Sequence, residues 1–190
     1  MPLISVIVPA YNVSNSIAMT LDQLQRQTYD QLEIICINDG STDSTPDIIN
    51  ELKQKDSRIV LINKENGGVS SARNMGLNNA HGEYVCFFDP GDEADSEFVM
   101  YLYKLLLSEN ADLAICSYNF KMENGQILDR HRFYEVVEKN TIFNQEEALT
   151  EIIKAYGKFC GHVWDKLFDK NKIGNIRFDE NVHNCRRHIV

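Results

Sequence analysis

Cysteines are few in this sequence, and their spacing does not suggest a metal site. The chain of 190 residues has five, and none belongs to a C-x-x-C pair, so nothing points to structural zinc. Three of them fall inside apolar runs, where a cysteine acts as a small hydrophobic side chain. The odd, scattered set predicts a reducing compartment. The five are Cys36, Cys86, Cys116, Cys160 and Cys185.

Long apolar runs are also missing. The longest extends from Phe98 to Leu107 and is interrupted by Lys104, whereas a membrane-spanning helix needs about 20 apolar residues. The chain enters an apolar strand at Leu3 without a basic leader or a cleavage site, so we expect no secretory signal. We therefore expect a cytoplasmic protein.

Positive charge is in deficit, because 19 Lys and Arg face 28 Asp and Glu and give a formal net charge of −9. A surface that binds nucleic acid needs clustered basic residues, so we expect no nucleic-acid partner. A local basic site for a phosphate is still compatible with this balance.

Several catalytic motifs are absent as well. Neither G-x-G-x-x-G after the first strand nor G-x-x-x-x-G-K-[ST] occurs, which argues against a dinucleotide-dependent oxidoreductase and a P-loop enzyme. No Ser-His-Asp or Cys-His set stands out, and we assign His162 and His183 to structural or acceptor-side positions.

What the sequence does have is an alternation of apolar runs and helical patterns. Continuous apolar runs are typical of strands buried on both faces of a parallel sheet. Their alternation with amphipathic helices predicts an α/β domain with a mostly parallel central sheet flanked by helices. The predicted strands are Ile4 to Val8, Leu32 to Ile37, Ile59 to Ile62, Tyr84 to Phe88 and Leu113 to Cys116.

The pattern changes after about residue 120. Asn124-Gly125 predicts a hairpin turn, Arg130 to Val137 predicts a further strand, and Asn144 is expected to cap a helix that ends at Ala155. From Gly157 onward we expect an irregular C-terminal segment folded over the sheet edge. Residues 1–190 are interpreted as one domain, with residues 1–120 as its first part and residues 121–190 as its second.

Polar residues follow the predicted strands where each strand ends. The carboxyl ends of parallel strands share one edge of the sheet, and open α/β sheets bind ligands there. An aromatic ring can stack on a base, and a carboxylate can accept a hydrogen bond from a base or a ribose. A helix that begins at a glycine pair and carries an arginine in its early turns suits a phosphate. The residues are Pro9, Tyr11, Asp39, Asn66, Arg73, Asp89 and Asp92.

Each of these residues also has a plainer interpretation. Tyr11 could pack on the first helix, Asp39 could belong to a turn, and Arg73 could pair with a surface acid. Asp43 is assigned mainly to helix capping.

Asp89 and Asp92 give the most specific functional signal among these residues. Two close carboxylates repel each other unless a cation lies between them, and Mg²⁺ or Mn²⁺ bridging a diphosphate would provide that cation. The alternative is an acidic loop, because Glu93 and Asp95 follow.

Taken together, the motifs resemble those of a family-two inverting glycosyltransferase with the GT-A fold, of the bacterial polysaccharide type. The resemblance covers nearly the whole chain. Its motifs are Val6 to Asn12, Ile37 to Thr45, Asn66 to Gly76, Gly82 to Asp89, Trp164 to Phe168 and Ile176 to Asn181.

The resemblance implies transfer of a sugar, most often from a UDP-sugar, to a glycan or lipid-linked acceptor, with Mn²⁺ or Mg²⁺ as cofactor. It leaves open a peripheral association with the inner face of the membrane. Residues 1–120 would then bind the nucleotide through Pro9, Tyr11, Asp39, Asn66, Arg73 and Asp89, and Asp89 and Asp92 would hold the metal. Residues 121–190 would form the acceptor side, with Trp164 and Lys166.

The chain departs from the family pattern in two places. The usual Asp-x-Asp metal motif has Gly91 at its second acidic position, which shifts the expected ligand to Asp92. A Glu-Asp pair, whose aspartate is the general base, normally follows the stretch that ends at Asn181, but Arg186 and Arg187 stand there. Arginine stays protonated at neutral pH, so we expect the acceptor-side part to be incomplete and transfer to be impaired.

Two rival functions follow. A nucleotide-sugar-binding domain with impaired or no transfer activity fits the missing base. A sugar-nucleotide pyrophosphorylase is disfavoured, because the residues from Pro9 to Asn12 lack the glycine-rich, arginine-containing loop that such enzymes have after the first strand.

Overall fold

All five apolar runs predicted as strands form strands of one sheet. The computed structural model describes residues 1–122, 124–128, 141–154 and 161–181. The strands are β1 (Ile4–Ala10), β2 (Leu32–Asp39), β3 (Ile59–Lys64), β4 (Tyr84–Phe87), β5 (Leu113–Ile115), β6 (Phe120–Lys121), β7 (Ile127–Leu128) and β8 (Lys166–Asp169). The helices are α1 (Ile17–Gln25), α2 (Thr45–Lys55), α3 (Gly68–Asn79), α4 (Phe98–Ser108), α5 (Gln145–Ile153) and α6 (Lys170–Ile173).

The main sheet has six strands in the order β3-β2-β1-β4-β8-β5. β1, β2, β3 and β4 are parallel to one another. β8 is antiparallel to both β4 and β5. The predicted α/β class with a mostly parallel sheet is therefore confirmed.

The sheet is covered on both faces, which explains why its strands read as continuous apolar runs. Along β1, Val6 and Val8 pack on one face against α1, α2 and α4, while Ile7 packs on the other face against α3. The α3 face also receives side chains from the C-terminal part of the chain, including Phe178. Both layers hold the strands, so the strand ends are fixed in position.

The expectation of an irregular segment after residue 157 is wrong for residues 166–169. These residues form β8, which inserts between β4 and β5 and places Leu167 opposite Cys86 and Ala114. The stretch Lys166-Leu167-Phe168-Asp169 is short and has charges at both ends, so its pattern gives little sign of a central strand. Pairing on both sides supplies the hydrogen bonds that its length alone would not predict.

The turn at Asn124-Gly125 is confirmed, because it joins the antiparallel strands β6 and β7. The helix predicted after Asn144 is also confirmed over Gln145–Ile153, and Asn144 and Glu147 form a reciprocal capping box at its start. The predicted strand from Arg130 to Val137 lies outside the described residues.

In the described parts of the chain, no helix is both long enough and apolar enough to cross a bilayer.

Candidate functional site

The carboxyl ends of β1 and β4 are neighbours at the point where the strand order reverses. From β1 the sheet extends through β2 to β3 on one side, and β4 pairs with β1 on the other side. Open α/β sheets bind ligands in the crevice outside such a switch point. The strand-end motifs therefore lie where this fold favours a ligand.

The loops after β1 and β2 are tied together through Asn12. Its side-chain oxygen accepts hydrogen bonds from the backbone N–H of Thr42 at 2.8 Å and from the Thr42 hydroxyl at 3.3 Å, and its own N–H donates to Ser41 Oγ at 3.0 Å. Pro9 is buried in β1, whereas Tyr11 next to Asn12 is 50% exposed. The chain thus presents an open aromatic ring beside a fixed loop.

Asp39 at the end of β2 is almost completely buried, and backbone N–H groups surround its carboxylate. Its Oδ1 accepts from Gly67 N at 3.0 Å and its Oδ2 from Gly68 N at 2.8 Å, where α3 begins. Lys64 Nζ also donates to Oδ1 at 2.6 Å. The carboxylate therefore fixes the glycine pair at the helix start. Lys64 is a partner that the sequence motifs did not reveal.

The loop after β3 lies directly against the loop after β2. Asn66 Nδ2 donates to the backbone oxygen of Asp39 at 2.9 Å. Gly40 has a φ of +74°, and a Cβ there would meet Asn66 N at 2.8 Å. Only glycine allows both this backbone conformation and this close approach.

Arg73, in the second turn of α3, forms an ion pair with Asp89, which follows β4. Its Nη2 donates to Oδ1 of Asp89 at 2.9 Å and to Oδ2 at 3.0 Å, and the two side chains are 16% and 34% exposed. The Arg73 Nε atom is buried and has no hydrogen-bond partner among the described residues. Two residues that the sequence placed at separate strand ends are thus in direct contact.

Asp92 lies in the same loop, whose backbone is held by two polar side chains of α1. Gly91 N donates to Thr20 Oγ1 at 3.1 Å, and Gln23 Nε2 donates to the backbone oxygen of Asp92 at 3.4 Å. Gly91 adopts a φ of +102°, which a residue with a Cβ rarely does. Burial, and then the neighbouring Asp89 carboxylate, raise the pKa of Asp92 to about 6.

The chemistry of this loop fits a divalent cation bound together with a phosphate ligand. The raised pKa of Asp92 reflects a carboxylate that a nearby positive charge would stabilise. Mg²⁺ is commonly held by one or two carboxylates, with substrate phosphates completing its shell. The described residues contain no group of three acidic, His or Cys side chains that would bind a metal without such help.

Asp43 precedes Ser44, the N-cap of α2, and its carboxylate bonds to the first N–H group of the helix. Its Oδ1 accepts from Thr45 N at 3.0 Å at the start of α2, and its Oδ2 accepts from Ser14 N at 3.1 Å. Hydrogen bonds from the Thr45 side chain, and then from the backbone of Thr45 and from Ser14, hold the pKa of Asp43 well below its usual value.

Aromatic rings collect just before β8. Because β8 is antiparallel to β4, residues that precede it lie at the carboxyl edge of β4. The Trp164 ring is 4.6 Å from that of Tyr118 in an edge-on arrangement and 5.4 Å from the stacked ring of His162. His162 is exposed, and the other two rings are half-buried.

Lys166 lies in β8 and is buried, with its Nζ 2.5 Å from Asp165 Oδ1. Its ammonium group is thus part of the folded interior, and an acceptor-side role for it stays a prediction. Arg186 and Arg187 lie outside the described residues.

A cavity of about 550 Å³ lies elsewhere, lined by residues between Thr141 and Glu151. None of the strand-end residues lines it. We locate the candidate site from the sheet topology and the contacts above, because these bring together chemically complementary groups and the cavity wall does not.

The sequence model of Glycosyl transferase family 2 matches residues 5–170. The chain belongs to this family. It is 37% identical over 180 residues to Glycosyltransferase GlyA of Streptococcus pneumoniae serotype 4, an alignment that covers 93% of this chain and 26% of GlyA. The chain spans between about a quarter and half of the length of the curated relatives it matches.

Solved structures show the same fold. The UDP complex of S. aureus TarS residues 1–349 superposes with a TM-score of 0.67 at 20% identity, covering 96% of this chain and 52% of that one. A mannosyltransferase from Pyrobaculum calidifontis, solved with GDP-Man and Mn²⁺, has a TM-score of 0.67 at 20% identity and covers 96% and 49%. The predicted family and the predicted GT-A fold are confirmed.

Proposed function

We propose that this family-two chain binds a nucleotide-sugar, in first place a UDP-sugar, and transfers the sugar with inversion to a glycan or lipid-linked acceptor. The observation that supports this most strongly is at the start of α3. There one buried carboxylate, Asp39, holds two helix N-terminal N–H groups, and one turn later Arg73 pairs with Asp89. Both features follow the carboxyl ends of parallel strands, at the sheet edge that includes the switch point.

Base recognition is assigned to Tyr11 and Asp39. The half-exposed Tyr11 ring offers a flat surface for stacking. Among the described residues, Oδ2 of Asp39 accepts only from Gly68 and so keeps capacity for a second donor. A uracil N–H or a ribose hydroxyl would provide that donor. TarS, which shares this fold, was solved with UDP.

Diphosphate binding is assigned to Arg73 and to the start of α3. The N–H groups of Gly67 and Gly68 already bond to Asp39, so the diphosphate would gain from the remaining positive end of the helix dipole. The guanidinium adds a permanent positive charge. Asp89 keeps Arg73 in place and would contact the ribose or the diphosphate. Asn66 fixes the loop from which α3 begins.

Mn²⁺ or Mg²⁺ would be held by Asp89 and Asp92 together with the diphosphate, and when bound it would neutralise the charge of the leaving nucleotide. The chain itself fixes the loop backbone through Thr20 and Gln23, and Arg73 orients the Asp89 carboxylate.

The acceptor side is assigned to Trp164, with Tyr118 and His162 next to it. Aromatic rings offer apolar faces on which a sugar ring can lie, and these three lie at the edge that Asp89 occupies. A carboxylate would deprotonate the acceptor hydroxyl, and positioned bases of this kind contribute roughly 10²- to 10⁴-fold to the rate. Asn74 Nδ2 donates to Glu180 Oε1 at 2.8 Å, so this carboxylate already has a hydrogen-bond partner.

The alternative is a domain that binds nucleotide-sugars without transferring them. The relatives matched here are glycosyltransferases by name, which favours transfer. Comparing UDP-sugar binding with UDP-sugar turnover separates the two functions.

Removing the Asp92 carboxylate should abolish metal-dependent UDP binding without disturbing the Arg73–Asp89 pair. We expect Mn²⁺ to strengthen UDP binding by wild-type protein at least roughly tenfold, because a cation relieves the repulsion between Asp89 and Asp92. Asp92→Asn should lose this enhancement. Isothermal titration calorimetry of both proteins, with and without Mn²⁺, measures it.

Glu93→Gln is the matched control, because it makes the same charge change in the same loop at an exposed residue paired with Lys121. It should keep the metal enhancement. Equal UDP affinities in all measurements, with and without Mn²⁺, would remove the metal from the proposal.

A further inference from the structure

A short stretch near residue 180 is bonded to α3 through Asn74. The Asn74 side-chain nitrogen donates to the backbone oxygen of Phe178 at 2.9 Å and to Glu180 Oε1 at 2.8 Å. In return, Phe178 N donates to Asn74 Oδ1 at 2.9 Å. Asn74 is only 7% exposed, so these bonds are formed away from competing water and fix the backbone of Phe178.

The Phe178 ring that this anchor positions lies over the guanidinium of Arg73. Their separation is 5.6 Å from Arg73 Cζ to the ring centroid. The ring also meets Phe87 edge-on, with centroids 5.4 Å apart, which sets its orientation from β4. Arg73 is therefore held between an aromatic ring and the Asp89 carboxylate.

This arrangement has a direct physical consequence for Arg73. A free arginine side chain samples many rotamers and loses that freedom when it binds an anion. The cation–π contact and the ion pair restrict the guanidinium before any ligand arrives. Only 16% of the Arg73 side chain is exposed, so these two contacts act with little competition from water.

We propose that Phe178, anchored by Asn74, is a positioning residue for Arg73 and so sets the affinity of the site for a nucleoside diphosphate. The proposal rests on the proposed function, in which Arg73 binds the diphosphate. It assigns a role in donor binding to a segment that lies 104 residues after Asn74 in sequence.

A double-mutant cycle between Phe178 and Arg73 tests this. Phe178→Leu keeps an apolar side chain but removes the ring face, and we expect it to weaken UDP binding roughly three- to tenfold in the wild-type background. In an Arg73→Lys background the same change should alter UDP affinity less than about twofold, because the positioned guanidinium is already gone. Calorimetric dissociation constants measure both arms.

Three further variants separate the role of the Phe178 ring from that of its anchor and provide a control. Phe178→Tyr retains the ring and should bind UDP like wild type. Asn74→Ser removes the anchor without touching the ring, and should reproduce the effect of Phe178→Leu even if that variant does not fold. Arg177→Ala is the control on the same stretch, since its guanidinium bonds to Asn78, and it should leave UDP affinity unchanged.

The outcomes are distinct. An equal loss of affinity in both backgrounds, or no loss for Phe178→Leu and Asn74→Ser, would overturn the positioning role while leaving the proposed function intact. Absence of UDP binding by folded wild-type protein would instead overturn the proposed function, and the positioning role with it.

Discussion

Asp39→Asn should weaken UDP binding by roughly 30- to 1,000-fold, equivalent to about 2–4 kcal/mol. The carboxylate has two acceptor oxygens, and in this chain they already serve Gly67, Gly68 and Lys64. An asparagine keeps one oxygen and turns an NH₂ group towards donors. The helix start would lose one of its anchors, and the base would lose a charged acceptor.

The measurement is calorimetric titration of UDP, with thermal unfolding recorded for each variant. Asp47→Asn is the matched control, because Asp47 is an exposed acid in the first turn of α2 and the charge change is the same. It should bind UDP like wild type. A dissociation constant for Asp39→Asn within threefold of the control would show that Asp39 has no part in nucleotide binding.

Lys166→Met should lower the free energy of unfolding by about 3–5 kcal/mol. The side chains of Lys166 and Asp165 are only 5% and 1% exposed, so removing the ammonium leaves a buried carboxylate without its counter-charge. Within the part of the chain that the structure describes, Oδ2 of Asp165 already lacks a hydrogen-bond partner, which makes the remaining charge more costly. A domain is typically stable by only about 5–15 kcal/mol, so this loss is a large share.

Urea unfolding of the variants tests this second prediction. Lys172→Met is the control, since Lys172 pairs with Asp112 at 3.1 Å with both side chains more than half exposed, and it should cost about 1 kcal/mol or less. Combining Lys166→Met with Asp165→Asn should recover much of the loss. If the Lys166 and Lys172 variants shift the urea midpoint equally, the pair does not behave as a buried one.

The sheet and the strand ends were predictable because their signals are local. Val6, Ile7 and Val8 are all apolar because both faces of β1 are covered. A run of this kind predicts a buried strand even when the neighbouring strands are unknown. The polar residues that follow each run must then lie at one edge, because parallel strands share their direction. The position of Asp39 and Asp89 at that edge follows from this reasoning.

The contacts between these residues were not predictable, because they depend on three-dimensional packing. From the sequence, the partner of Arg73 could be either a phosphate or a surface acid. In the structure Arg73 pairs with Asp89, which is itself a candidate site residue. Nothing in the sequence distinguishes Lys64 from any other charged residue at a strand end, although it donates to Asp39. Thr20 gave a weak signal, since a polar residue on an otherwise apolar helix face suggests a buried partner.

Features that depend on contacts between distant parts of the chain were the hardest to predict from the sequence. β8 gains its stability from neighbours on both sides, one of them about 80 residues earlier in the chain. Asn74 and Phe178 meet across 104 residues. Phe178 was part of a motif that resembled the family, but no periodicity could place its ring over Arg73.

Mapping the UDP footprint by amide chemical-shift perturbation tests the central claim most directly. We predict that UDP with Mg²⁺ shifts the amides of residues 10–12, 39–42, 66–73 and 88–92, with Gly67 and Gly68 among the largest. These amides surround the switch point and the start of α3. Shifts confined to the cavity wall between Thr141 and Glu151, with residues 66–73 unchanged, would contradict the account.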